Sequence, residues 1–136
     1  MRCESASECA GTAICGFDPA CVDACCVGAC RVLAGQTSLM DAMALIAGAR
    51  GLVSNDSGLM HVAAAFGIPQ VAVFGSTSPE HTPPLNPRAQ VLWLKGELGL
   101  DCMPCFERNC RFGHTRCLSE VAPQRVETAL HDALAA

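Results

Sequence analysis

Tyrosine is absent from this 136-residue chain, tryptophan occurs once, and aromatic residues make up only 4% of the whole. A surface that stacks successive bases on interleaved rings is hard to build from so few. Positive charge is scarce as well: nine Lys and Arg stand against thirteen Asp and Glu, a formal net charge of -4. Neutralising phosphates along a duplex needs a basic surplus, so nucleic acid is not expected as a partner. No run approaches the roughly eighteen uninterrupted apolar residues of a membrane-spanning helix. The start, MRCESASECAG, has no basic region followed by an apolar stretch. A cytoplasmic chain without a membrane span is expected.

The residues that are plentiful say more. A hydrophobic content of 51% with 16% charged side chains belongs to a chain that folds, and the length suits one domain. Eleven cysteines fall into two groups. Cys3, Cys9, Cys15, Cys21, Cys25, Cys26 and Cys30 lie in the first stretch, which shows neither helical nor strand periodicity, and Cys102, Cys105, Cys110 and Cys117 lie near the end. The early spacings match no zinc arrangement with two close ligand pairs. Residues 1-33 are expected to be a cysteine-rich leader, unstructured or displaced in reading frame, ahead of a regular segment at 34-136.

From Ala34 the pattern becomes regular. Ser38 with Asp41 three residues on has the form of a helix N-cap and its acidic partner, and Leu39, Ala42, Met43 and Ile46 recur at helical spacing. A helix to about Arg50 is predicted, ended by Gly51. Residues 51–54 read as a short buried strand. Asn55-Asp56-Ser57-Gly58 then supplies side-chain caps for a second helix, which Gly67 and Pro69 stop. Residues 70–74 and 90–94 read as two further strands, joined by Gly75-Ser76-Thr77-Ser78-Pro79 and a proline-rich loop. Pro123 opens a last helix with Val126, Ala129, Leu130 and Ala133 on its inner face. This order predicts an α/β fold, a short parallel sheet with flanking helices, and amounts to part of a Rossmann-like domain.

In open α/β sheets ligands bind at the carboxyl ends of strands, where a helix that begins presents free N–H groups and partial positive charge to an anion. Val53 to His61 fits that geometry. Gly58 lets a phosphate approach the backbone, Asp56 and Ser57 can cap the helix, and His61 stands one turn in, where its imidazole can donate to a phosphate oxygen or a sugar hydroxyl. On spacing alone, a capped helix with a half-buried His61 accounts for the same residues equally well.

The stretch Val53-Ser54-Asn55-Asp56-Ser57-Gly58-Leu59-Met60-His61-Val62-Ala63-Ala64-Ala65, with Leu33-Ala34-Gly35-Gln36-Thr37-Ser38-Leu39 before it and Gly75-Ser76-Thr77-Ser78-Pro79 after it, resembles the ADP-heptose:lipopolysaccharide heptosyltransferases of glycosyltransferase family 9. Thr82-Pro83-Pro84-Leu85 and the late cysteine stretch from Cys102 to Leu118 resemble the type II branch rather than type I. The resemblance covers Ala34 to the end. It implies the C-terminal, nucleotide-sugar-holding part of a GT-B glycosyltransferase, with inverting transfer of heptose from ADP-L-glycero-D-manno-heptose to the inner-core heptose of lipopolysaccharide and no required cofactor. It also places such a chain in the cytoplasm, peripheral at the inner membrane. Carried over by motif, Asp56, Ser57, Gly58, Leu59 and His61 would line the diphosphate and sugar pocket, Thr37, Ser38 and Leu39 would lie near the adenosine, and Ser76 and Thr77 would face the same crevice.

Family members are considerably longer, and the acceptor-binding domain with its acidic general base has no counterpart here. A truncated fragment without transferase activity is therefore expected. A stand-alone ADP-binding module without catalysis, or a cysteine-rich metal-binding protein with its metals on residues 3–30, are the alternatives. The late cysteines leave three states open: Cys102, Cys105, Cys110 and Cys117 can supply one structural zinc ion, remain free thiols, or pair as disulfides. Arg108, Arg111 and Arg116 are expected to lower the thiol pKa values or to meet an anionic acceptor.

Overall fold

The computed structural model describes residues 13–14 and 31–136. The chain divides into two compact units, residues 1–49 and 50–136. In the first, β1 (Ala13–Ile14) and β2 (Arg31–Val32) pair antiparallel, with Ala13 opposite Val32. Apart from these two strands and Leu33, the leader expected over 1–33 lies outside the described residues.

The first unit also holds α1 (Leu39–Ala47). Its N-terminus is closed by a reciprocal pair. Ser38 Oγ accepts from the Asp41 N–H at 3.2 Å, while Asp41 Oδ2 accepts from the Ser38 backbone N–H at 2.9 Å. The helix stops earlier than periodicity suggests, at Ala47 rather than Arg50, because Gly48 takes the C-cap and its N–H returns to the Ala44 carbonyl. Helix-compatible residues beyond a glycine do not extend the helix when the cap bond is already made.

The second unit is built on three parallel strands in the order β3 (Leu52–Asn55), β4 (Gln70–Phe74), β5 (Ala89–Trp93). Asn55 lies opposite Val73, and Val73 opposite Leu92. β4 spans the predicted residues 70–74, whereas β3 and β5 are each displaced by one residue from their predicted bounds. The central strand β4 is buried along its whole length. Its period of two divides the core. Val71 and Val73 pack with Leu92 and Ala129 on one face, and Ala72 and Phe74 pack with Met60 on the other.

The first face is covered by α5 (Pro123–Ala135), which buries Ala129 and Ala133 and brings Val126 and Leu130 against the cluster, as its spacing predicts. The second is served by α2 (Gly58–Ala65), through Met60 and Ala63. Two short helices, α3 (Lys95–Leu98) and α4 (Arg116–Ser119), have no periodic signature and are additions to the sequence reading. Arg125 grips the Glu97 carboxylate with both terminal nitrogens at 2.6 Å, which ties α3 to α5.

No helix crosses from β4 to β5. The proline-rich loop makes that passage and is pinned where it returns: buried Asn86 donates from Nδ2 to the Ile68 carbonyl at 2.7 Å and accepts from the Arg88 N–H at 2.9 Å. This anchoring leaves the part of the loop nearer β4 at the carboxyl end of the sheet.

Candidate functional site

The parallel register brings two connections to one end of the sheet. The turn after β3 leads into α2 within three residues, and the loop after β4 begins at Gly75. They are joined there: Thr82 Oγ1 donates to Asp56 Oδ2 at 3.0 Å, across twenty-six residues of sequence. The Asp56 N–H also donates to the Val73 carbonyl at 3.3 Å. Asp56 is thereby committed to the strand end and the loop.

Ser57 occupies the N-cap position of α2, yet its side chain makes no cap hydrogen bond. The expectation that Asp56 and Ser57 cap this helix is corrected on that point. Thr82 engages the Asp56 carboxylate instead, and the extended Ser57 backbone (φ -157°, ψ 166°) brings its hydroxyl into no cap bond. The first N–H groups of any helix lack an intrahelical partner, and here no side chain among the described residues replaces one. Ser57 and Gly58 are exposed, and a Cβ added at Gly58 would meet nothing within 4 Å. An open approach to a helix N-terminus results.

His61 stands on the first turn of α2 and is exposed, without a hydrogen bond to another described residue, so the half-buried, backbone-satisfied alternative does not hold. Leu59 is half-buried. Thr37, Ser38 and Leu39 belong to the first unit; Thr37 and Leu39 are exposed, and Ser38 Oγ both accepts from and donates to Asp41 within the cap.

Ser76 and Thr77 are half-buried at the head of the β4 loop. The Ser76 carbonyl accepts from the N–H groups of Cys105 at 3.0 Å and Phe106 at 2.8 Å, so the loop is fastened to the late cysteine stretch. Buried Gly75 is required in the same place. A Cβ there would lie 2.6 Å from Leu118 Cγ of α4.

Ser76, Leu118 and the four late cysteines line a cavity of about 90 Å³. The cysteines are free and half-buried, and among the described residues no three His, Cys, Asp or Glu side chains are grouped to hold a metal ion. The thiols also differ. Backbone N–H groups, that of Thr115 foremost, hold Cys110 below the ordinary thiol range, whereas burial pushes Cys117 up, with the neighbouring thiols adding to it. For these two groups the arginines are not the cause that the sequence suggested. Arg116 is paired with Glu120 one helical turn on.

Sequence reasoning found the turn at 55–61 and the loop at 75–79. It missed the Asp56–Thr82 bond, because no local spacing reports a contact between two loops brought together by strand pairing. The proline cluster after Thr82 was the only signal.

Comparisons with known proteins bear on the same residues. The profile of glycosyltransferase family 9 (heptosyltransferase) matches residues 7–116 and so reaches back into the cysteine-rich stretch. Lipopolysaccharide heptosyltransferase 2 of Salmonella typhimurium is 42% identical over 113 residues, which is 77% of this chain and 29% of the relative. The Escherichia coli K12 protein of the same name is 43% identical over 97 residues, 71% of this chain and 27% of the relative. A solved structure of E. coli ADP-heptose LPS heptosyltransferase II matches with a TM-score of 0.61 at 41% identity, covering 77% of this chain and 28% of that one. The chain thus spans less than a third of the length of these relatives.

Proposed function

The chain belongs to glycosyltransferase family 9, the heptosyltransferases, and on that premise we propose that its second unit forms part of the donor-binding domain of an enzyme that moves heptose from ADP-heptose to the inner core of lipopolysaccharide. The open N-terminus of α2 at the carboxyl end of β3 carries this reading. A diphosphate placed there meets the unpaired N–H groups of Gly58 and Leu59 and the positive end of the helix dipole. His61, one turn further, donates to a phosphate oxygen or a sugar hydroxyl. Asp56 keeps one carboxylate oxygen on Thr82 and offers the other to a sugar hydroxyl. Ser76 and Thr77 border the crevice from the β4 loop; for Thr37, Ser38 and Leu39, which belong to the first unit, contact with the adenosine rests on the family resemblance alone.

The chemistry these residues serve is a single displacement at the anomeric carbon, with ADP as the leaving group. Charge builds on the diphosphate as the glycosidic bond breaks, and helix N–H groups aimed at that charge lower the barrier. The acceptor hydroxyl and its base must be held against the opposite face of the sugar. Family 9 enzymes generally need no cofactor. A zinc ion on Cys102, Cys105, Cys110 and Cys117 would require those side chains to turn toward one point, and zinc content after purification without chelator tests it. The proposed setting is the cytoplasmic side of a membrane that holds the acceptor; among the described residues no helix is long and apolar enough to cross one.

The test is a calorimetric titration of the 136-residue chain with ADP, AMP and adenosine. ADP is expected to bind more tightly than AMP, adenosine negligibly, and heptose transfer by these residues alone to be undetectable. Equal affinity for ADP and adenosine would remove the diphosphate from the proposed site.

A further inference from the structure

Four thiols border one cavity, and the transfer chemistry uses none of them. Cys102, Cys105, Cys110 and Cys117 are free and half-buried around it. The backbone singles out Cys110. The Gly113 N–H returns to the Cys110 carbonyl at 3.0 Å, and Gly113 (φ 71°) and Thr115 (φ 46°) both lie in the left-handed region. The chain therefore curls around this side chain, and the N–H groups of Thr115, Phe112, His114 and Gly113 turn toward its sulfur. Thr115, which carries a Cβ, accepts backbone strain in doing so. Successive N–H groups gathered by such a turn make a concave seat for an anion, and here the anion is the protein's own thiolate.

The thiolate is the nucleophile of sulfur exchange, so the thiol with a built seat reacts first. Cys117 is its complement. It stands in α4, where burial, and then the charges of Cys105, Cys110 and Cys102, keep it protonated beyond the ordinary thiol range. A cap on Cys110 removes one of those charges and lets Cys117 ionise next. The mouth of the cavity is cationic. Arg108 and Arg111 line it and pair with no carboxylate among the described residues, Arg116 is paired with Glu120, and Glu107 subtracts one charge.

We propose that Cys110 and Cys117 form a thiol–disulfide exchange site for small anionic disulfides, with Cys110 as the attacking sulfur and Cys117 as the one that completes the exchange. The Cys110 thiolate attacks one sulfur of the reagent, the reagent's S–S bond breaks, and one half leaves as a thiolate. Cys117 then gives its proton to solvent and attacks the Cys110 sulfur, which forms the protein disulfide and expels the second half. Two protein thiols are oxidised and one reagent disulfide is reduced to two thiols. The new bond fastens α4, whose Leu118 stands over Gly75 at the head of the β4 loop, to the turn that follows Cys110. The site stands apart from the nucleotide-sugar reading and does not depend on it.

The full 136-residue chain, reduced and kept in chelator, is treated near neutral pH with dithiodipropionate, which carries two carboxylates, or with cystamine, which carries two ammonium groups. Timed samples are alkylated, digested with trypsin and weighed by mass spectrometry. Cleavage at Lys95, Arg108, Arg111, Arg116 and Arg125 places Cys102 and Cys105 on fragment 96–108, Cys110 on 109–111 and Cys117 on 117–125. Dithiodipropionate is expected to modify Cys110 about tenfold faster than Cys102 or Cys105, and a cross-link between 109–111 and 117–125 is expected to follow. Cystamine should react at Cys110 about threefold more slowly at low salt, with the gap closing at about 0.5 M. In Cys117→Ser the first step should persist and the second be lost, so that half of the reagent stays on Cys110. Equal rates at Cys102, Cys105 and Cys110, a main cross-link that omits Cys110 or Cys117, or cystamine reacting as fast as dithiodipropionate would overturn the site.

Discussion

Two helix N-termini in this chain are written in similar residues and end in opposite states. At α1, Ser38 and Asp41 satisfy one another's backbone within a single turn. At α2, Asp56 and Ser57 stand where caps belong, yet neither closes the helix, because Asp56 is drawn to Thr82 on a distant loop. The first end is finished by its own residues, and the second is left without a side-chain cap among the described residues. A capping sequence therefore reports a closed helix only when no tertiary partner competes for the same side chain.

If the open end depends on the loop after β4, the largest effect should come from a residue that touches neither helix terminus. Gly75→Ala drives a Cβ into Leu118. Overpacking of that kind costs about 1–3 kcal/mol, so chemical denaturation should show a lower midpoint, and ADP affinity should fall as the loop shifts. An unchanged midpoint would mean that Leu118 moves aside freely.

The closed end should respond to its own residues alone. Ser38→Ala removes the N-cap acceptor and is expected to cost about 1 kcal/mol of stability. ADP affinity measured by calorimetry tells whether the reading of Ser38 beside the adenosine survives, since a cap whose hydroxyl is already committed should leave affinity within a factor of two or so.

Thr82→Val probes the bond between loops. Stability should change by only about 0.5 kcal/mol, since the pair is exposed. The freed Asp56 carboxylate would then be able to turn toward the α2 N–H groups and compete with phosphate, lowering ADP affinity about threefold. A gain in affinity would show that Thr82 was blocking the site.

The smallest effect is a pH dependence at the closed end. The Ser38 hydroxyl, and then its backbone N–H, hold the Asp41 carboxyl below the usual carboxylate range. A group depressed in the folded state stabilises above its unfolded pKa and loses that contribution as pH falls through the folded one. The stability difference between the parent and Asp41→Asn should therefore shrink as pH drops below about 4. A difference that stays constant through that range would assign the cap to geometry rather than charge.

These contrasts also show what the sequence made legible. The α1 cap, the inner face of α5 and the buried β4 run are local patterns, where spacing alone determines which side chains meet. The C-terminus of α1 was overrun because Gly51, rather than Gly48, looked like the stop. Helices α3 and α4, four residues each, are too short to show a period. The fastening of Ser76 to Cys105 and Phe106, and the hold of Thr82 on Asp56, are products of strand order, and no window on the chain contains both partners. The late cysteines illustrate the same limit. Their spacing allows zinc, while the described side chains form no metal-holding group.

The central claim is that the space before Gly58 is empty for a ligand, and Gly58→Ala tests it most directly. Nothing in the folded chain meets the new methyl group, and alanine is favoured over glycine in a helix by up to about 1 kcal/mol. Melting temperature should hold or rise while ADP affinity drops about tenfold or more, as the methyl displaces phosphate from the helix N–H groups. A variant that is equally stable and binds ADP as tightly as the parent would contradict the account, because the diphosphate would then lie elsewhere.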